Sequence, residues 1–179
     1  MWLVILIILV VLFTIFIVTN IIYNKFQDYI IKINEVEGKI DETLRKKYDS
    51  ILKVNNIIKE KIKTDKDALE DLESIKEDEL SSFEMYRKLT ESFNKIDFLK
   101  KQYKVLNTSE DVNKIFYEIN DMDESLSAYI KYYNENIVGY NSFIRKFPYN
   151  IIGIILKYEE KMFFDGKDLN DDNIKDFKI

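Results

Sequence analysis

Among 179 residues the chain has no His and no Cys. Imidazole is the usual proton carrier near neutral pH, and a thiolate is the usual soft nucleophile and metal ligand. Acid–base or covalent chemistry would therefore fall to carboxylates, Lys, Tyr, Ser and Thr. Carboxylate pairs of the glycosidase kind need a cleft, which a helical repeat does not predict, and four Gly leave no phosphate-cradling loop. The densest acidic run holds Asp65, Asp67, Glu70, Asp71, Glu73, Glu77, Asp78 and Glu79 against Lys66 and Lys76. A divalent-cation site is the sharp reading of that run, but the calcium-loop pattern and its Gly are missing. A solvated acidic face accounts for it, since acids also favour the first turns of a helix. No catalytic residue, cofactor or metal site is assigned, and the chain is expected not to be an enzyme.

A second pattern suits recognition better than catalysis. Tyr133, Tyr140 and Phe147 are spaced by seven, and Asn134 and Asn141 form a parallel column beside them. Seven residues on a helix leave a drift of only about 20°, so each set lies in one line. The aromatics read as a packing seam. The asparagines are either a polar layer that fixes helix register or a solvent-exposed row.

These columns lie on the most regular helix in the chain. Val112, Ile115, Ile119, Met122, Leu126, Tyr129, Tyr133, Ile137, Tyr140, Ile144 and Phe147 step by three or four until Pro148, which pushes its predecessor out of the helical region. Thr108 with Asp111 resembles a capping box at its start. Upstream, a helix near residues 66 to 104 follows a turn at Lys63, Thr64 and Asp65. Before it a stripe runs from Phe26 through Ile33, Val36, Ile40, Leu44, Ile51, Val54 and Ile58 to Ile62, weakened only at Lys47 and Tyr48, with Gly38 as its likeliest bend. Ile151 to Phe163 suggests a short fourth helix ended by Gly166, and the residues beyond read as a mobile tail. The expected architecture is all-α: an anchor at 1–23, an antiparallel up-and-down helical bundle at 24–164 with three long helices and a short fourth, and a tail at 165–179. Three alternating passes put the third helix parallel to the first, with Asp49 level with Asn134, and fold Ile151, Ile155, Tyr158 and Phe163 over the end of the bundle far from the bilayer.

The anchor is the stretch Trp2 to Tyr23, which carries no charge before Lys25. At about 1.5 Å per residue it spans the ~30 Å hydrocarbon core. A cleaved signal peptide would need a basic start and a small-residue cleavage site, yet the first Ala is Ala68. Residues 2–23 are therefore expected to stay in the bilayer as a single pass. Lys25, Lys32 and Lys39 follow the span, which predicts an outside N-terminus and a cytoplasmic main domain. With 27 basic and 32 acidic residues intermixed, nucleic acid is excluded as an expected partner.

The run Tyr133-Asn134, Tyr140-Asn141, Ile144, Phe147-Pro148, Ile151-Ile152 and Phe163-Phe164 resembles the C-terminal signature of the LemA family. Tyr23-Asn24 and Ile40-Asp41, Leu44, Lys47, Asp49 and Ile51 are similar to its N-terminal motif, so the likeness covers Trp2 to Phe164. The family usually carries a Pro-Asn pair shortly after the residue matched by Asp49, where this chain has Leu52 and Lys53. The first helix should run straighter there. The resemblance implies a bacterial membrane protein with one N-terminal span, a helical bundle and no established catalytic residues. LemA genes can lie beside those for HtpX-type membrane metalloproteases, which makes such a protease a candidate partner. The expected function is that of a membrane-anchored interaction module or adaptor at the cell membrane; the alternative is a self-associating structural or membrane-organising protein without a client.

Overall fold

The computed structural model describes residues 1–62 and 80–166, and every regular element among them is an α-helix. These are α1 (Trp2–Ile62), α2 (Ser82–Gln102), α3 (Lys104–Asn107), α4 (Glu110–Arg145) and α5 (Tyr149–Ile155). The all-α expectation is met, with the apolar N-terminal stretch continuing as one helix into the helical domain. α1 is unbroken through Gly38, Leu52 and Lys53. The turn expected at Lys63 to Asp65, the acidic run and the tail beyond 166 lie outside the described residues.

α2 begins in a capping box: the Glu84 N–H donates to Ser81 Oγ at 3.3 Å, and the Ser81 N–H donates to Glu84 Oε2 at 3.1 Å. Each bond satisfies a backbone donor that the first helical turn leaves unpaired. Tyr103, extended at φ −106 and ψ 109, separates α2 from α3. Thr108 does not cap α4 as expected. Its hydroxyl donates back to the Lys104 carbonyl at 3.0 Å and closes α3.

Two compact units make up the chain, one from Val36–Lys131 and the other from Met1–Glu35 with Tyr132–Ile179. In the first, Ile40, Leu44, Ile51, Val54 and Ile58 of α1 are buried, as are Leu89 and Ile96 of α2, Leu106 of α3 and Val112, Phe116, Ile119 and Leu126 of α4. Lys47, read as a weakness in the α1 stripe, is as fully buried as its neighbours Leu44 and Ile51. An ammonium out of water costs several kcal/mol unless it is paired. Its partners are the Asp123 carboxylate and the ring face of Phe93, whose centroid is 5.8 Å away. Phe93 in turn meets Phe116 at 5.0 Å.

Those pairs set the helix directions. Ser82 donates to Asp41 at 2.6 Å and Phe93 lies by Lys47, so α2 runs parallel to α1. Asp123 lies by Lys47 while Asp111 and Ile115 share a shallow groove with Lys53 and Ile57, so α4 runs antiparallel to α1. The expected order therefore needs correction: the helix at 110–145 opposes the first one, and the residue of α4 beside Lys47 is Asp123. Direction depends on the number of passes the chain makes, and a 3.6-residue period reads the same both ways.

In the second unit Ile22, Phe26 and Ile33 of α1 pack with Ile137 and Tyr140 of α4. The fully buried Phe26 ring has Tyr158, Phe143 and Tyr140 around it at 4.7, 4.8 and 6.0 Å. Residues 147–164 thus return to the part of α1 that follows the apolar stretch, and the expected fold-back over the far end is overturned. Tyr158 and Phe163 do join a core, whereas Ile151 and Ile155 remain 49 % and 71 % exposed. From Trp2 to Ile21 the apolar side chains of α1 are all exposed. α1 is the single described helix long and apolar enough to cross a membrane.

Candidate functional site

The sequence pattern predicts a helix through Met162 and Phe163, but α5 stops after seven residues. Lys157 turns left-handed at φ 56, and the Tyr158 N–H donates to the Gly153 carbonyl at 2.9 Å. Such a residue closes the open end of a helix at modest cost. From Tyr158 the chain continues without regular structure along α4.

Three polar side chains on one face of α4 hold it there. Asn141, 1 % exposed, donates from Nδ2 to the Lys161 carbonyl at 2.7 Å and accepts the Lys161 N–H at 2.9 Å. A carboxamide has the same donor and acceptor as a peptide unit, so one Asn satisfies both backbone groups of one residue. Asn134, two turns earlier, accepts the Phe164 N–H at 3.0 Å. Arg145 forms a fork on Glu160, with Nε and Nη2 each 2.6 Å from a carboxylate oxygen. These side chains offer the segment a set of backbone partners that replaces the helical one.

Aromatic contacts complete the latch. Tyr133 meets Phe164 edge-on at 6.3 Å, and Gln27 Nε2 donates to the Tyr158 hydroxyl at 2.8 Å. Burial pushes the Tyr140 phenol up from its ordinary value. The hydrogen bond from Arg145 holds the Glu160 carboxyl below its ordinary 4.5. That contact is present above the ordinary value and is lost as pH falls through the lowered one.

Of the residues singled out by sequence, Tyr133, Asn134, Tyr140 and Asn141 come together in this latch. The asparagine column is neither an interhelical polar layer nor a solvated row; it binds the backbone of a returning segment. Asp41 instead accepts the Ser82 hydroxyl in the other unit, where Asp49 is exposed. Tyr23 and Asn24 are exposed on α1, and Phe147 and Pro148 are exposed between α4 and α5. Arg145, Glu160 and Gln27 were missed, and Tyr158 was read for packing only. Nothing local marks a fork between residues 15 apart, although Arg145 stands one turn beyond Asn141 and continues its column.

A family model described as the LemA family matches residues 37–175. The chain belongs to the LemA family. No curated protein matches it. The LemA match contains Asp41, Asp49 and every latch residue from Tyr133 onward, whereas Tyr23, Asn24 and Gln27 precede it. Family membership together with the apolar N-terminal helix fits a membrane-associated protein. Chemically the LemA latch can grip backbone, because amides do not ionise and the Arg145–Glu160 pair is internal to it. Among the described residues no group of three acids could hold a metal ion. The groove lined by Lys53, Asn56, Ile57, Asp111, Lys114 and Glu118 is shallow and open.

Proposed function

We propose that this chain is a membrane-anchored, non-enzymatic interaction module, an adaptor that holds a helical domain beside the bilayer of the bacterial cell for another protein to use. The observation that carries the reading is α1 itself: a bare apolar stretch from Trp2 to Ile21 continues in the same helix into packed residues from Ile22 onward. Anchor and domain are then one element, so a partner bound to the domain is held at the membrane. The three lysines after the span favour a cytoplasmic domain. A chain without His or Cys, with amides where its signature side chains converge, supports binding over catalysis. A membrane protease of the HtpX type is the candidate client that the family resemblance brings forward.

Exposed Phe98, Tyr117 and Val105 in the unit 36–131 favour a second reading. There the chain associates with its own copies and organises the membrane without a client. Crosslinking in native membranes followed by mass spectrometry separates the two. The adaptor reading expects a distinct membrane protein joined to residues of the helical domain. Recovery of self-crosslinks alone would refute it and favour self-association.

A further inference from the structure

The 20 residues from Trp2 to Ile21 rise about 30 Å, the thickness of a hydrocarbon core. Protein cover begins at Ile22, 3 % exposed, so the helical unit starts where the span would leave the acyl chains. Phe26 is one turn further, and it locates the rest of the unit along α1. Tyr140 of α4 lies against Phe26, with centroids 6.0 Å apart. α4 runs toward the span from there and ends at Arg145, five residues and about 7.5 Å lower; two residues past that end stands Phe147, 78 % exposed. α5 follows, with Gly153 pressed inward so closely that a Cβ there would lie 3.1 Å from Ile144 and 3.7 Å from Phe26.

The outer face of α5 is apolar. Ile151, Ile154 and Ile155 follow the i, i+3, i+4 spacing of a single helical stripe and are 49, 76 and 71 % exposed. Water is the wrong neighbour for such a stripe, and the core of its own unit lies on the opposite side of Gly153. Exposed Lys146 and Lys157 flank the helix, and Lys25 stands beside the end of the span. Lysine flanks beside an apolar face are the pattern of an element lying in the headgroup region.

We propose that the α4–α5 corner is a second membrane contact, with Phe147, Ile151, Ile154 and Ile155 seated in the interface of the leaflet that α1 leaves. The occupant is lipid. The inference rests on the anchoring of α1 proposed above and adds a function for α5: a second attachment point beside the span. The Asn141–Lys161 pair brackets the corner in the chain, with Asn141 before it on α4 and Lys161 after α5.

The test uses the full chain in phosphatidylcholine vesicles containing lipids brominated near the glycerol end of the acyl chain, which quench nearby indoles. Trp2, the single native Trp, reports insertion of α1. Ile154→Trp in a Trp2→Phe background reports the corner. We expect Trp2 to be quenched in the native chain, and the indole introduced at Ile154 to emit to the blue and lose most of its emission. Quenched Trp2 with an unquenched, red-emitting indole from Ile154→Trp would overturn the second contact and leave the anchor standing. Unquenched Trp2 would overturn both. Phe147→Trp gives an independent report: quenching supports the contact, and full exposure to water counts against it.

Discussion

Asn141 makes two backbone bonds to one residue at the centre of the latch, and its replacement strands both. Lys161 is partly exposed, so water recovers some of the loss. Asn141→Ala is expected to cost about 1–3 kcal/mol, against about 1 for Asn134→Ala, which removes a single bond. Amide hydrogen exchange is the direct readout: the Lys161 N–H should lose protection in the first variant and the Phe164 N–H in the second. Unchanged protection at Lys161 would show that Tyr158 and Phe163 hold the segment without the amide. The seven-residue spacing made the column visible in the sequence, but its partner was not, because a carboxamide suits a helix, water or an extended backbone equally well. Lys47 shows the same limit from the other side. Its type argues for solvent, and only the position of Asp123 makes its burial tolerable.

α1 and α4 approach closely at Gly139, where an added Cβ would sit 2.8 Å from Tyr29 Cε1. The Tyr29 ring is itself held against Tyr140 and Phe143 at 6.5 and 6.1 Å, so it does not swing away freely. Gly139→Ala gains about 1 kcal/mol of helix propensity and meets an overpacking cost of about 1–3 kcal/mol. The expected net effect is destabilisation of up to about 2 kcal/mol. Gly38 has nothing within 4 Å of the same position, so Gly38→Ala should stabilise α1 by about 0.5–1 kcal/mol. Thermal unfolding of the two variants should therefore shift in opposite directions, and a rise in both would show that Tyr29 yields. Helix periods and their end near Pro148 were legible from sequence. The brevity of α5 was not, because its apolar spacing runs on past the point where the α4 side chains capture the backbone.

For the molecule as a whole, the side of the membrane is the property a single measurement can decide. Lys25, Lys32 and Lys39 follow the apolar stretch proposed as the span, and the positive-inside bias counts them as cytoplasmic whatever acids lie between. Protease added to intact spheroplasts should leave residues beyond Lys25 uncut, while lysed spheroplasts should lose them. Cleavage in the intact sample would put the domain outside and make an extracytoplasmic partner the one to seek. The proposed seating of α5 is indifferent to that outcome, since it depends on distance along α1 and not on which leaflet the helix leaves.

Composition and period alone determined that this chain is helical, that its first 20 or so residues suit a bilayer and that the usual catalytic side chains are missing. Each of these is a property of one residue or one helix and needs no neighbour. The tertiary structure decided which way α2 and α4 run, that Lys47 is buried, that Asn134 and Asn141 grip residues 161–164, and that Ile151 and Ile155 stay exposed while their segment returns to the part of α1 that follows the apolar stretch. Those outcomes depend on which surfaces meet, and an amphipathic stripe carries the same pattern whether it faces a parallel helix, an antiparallel one or lipid.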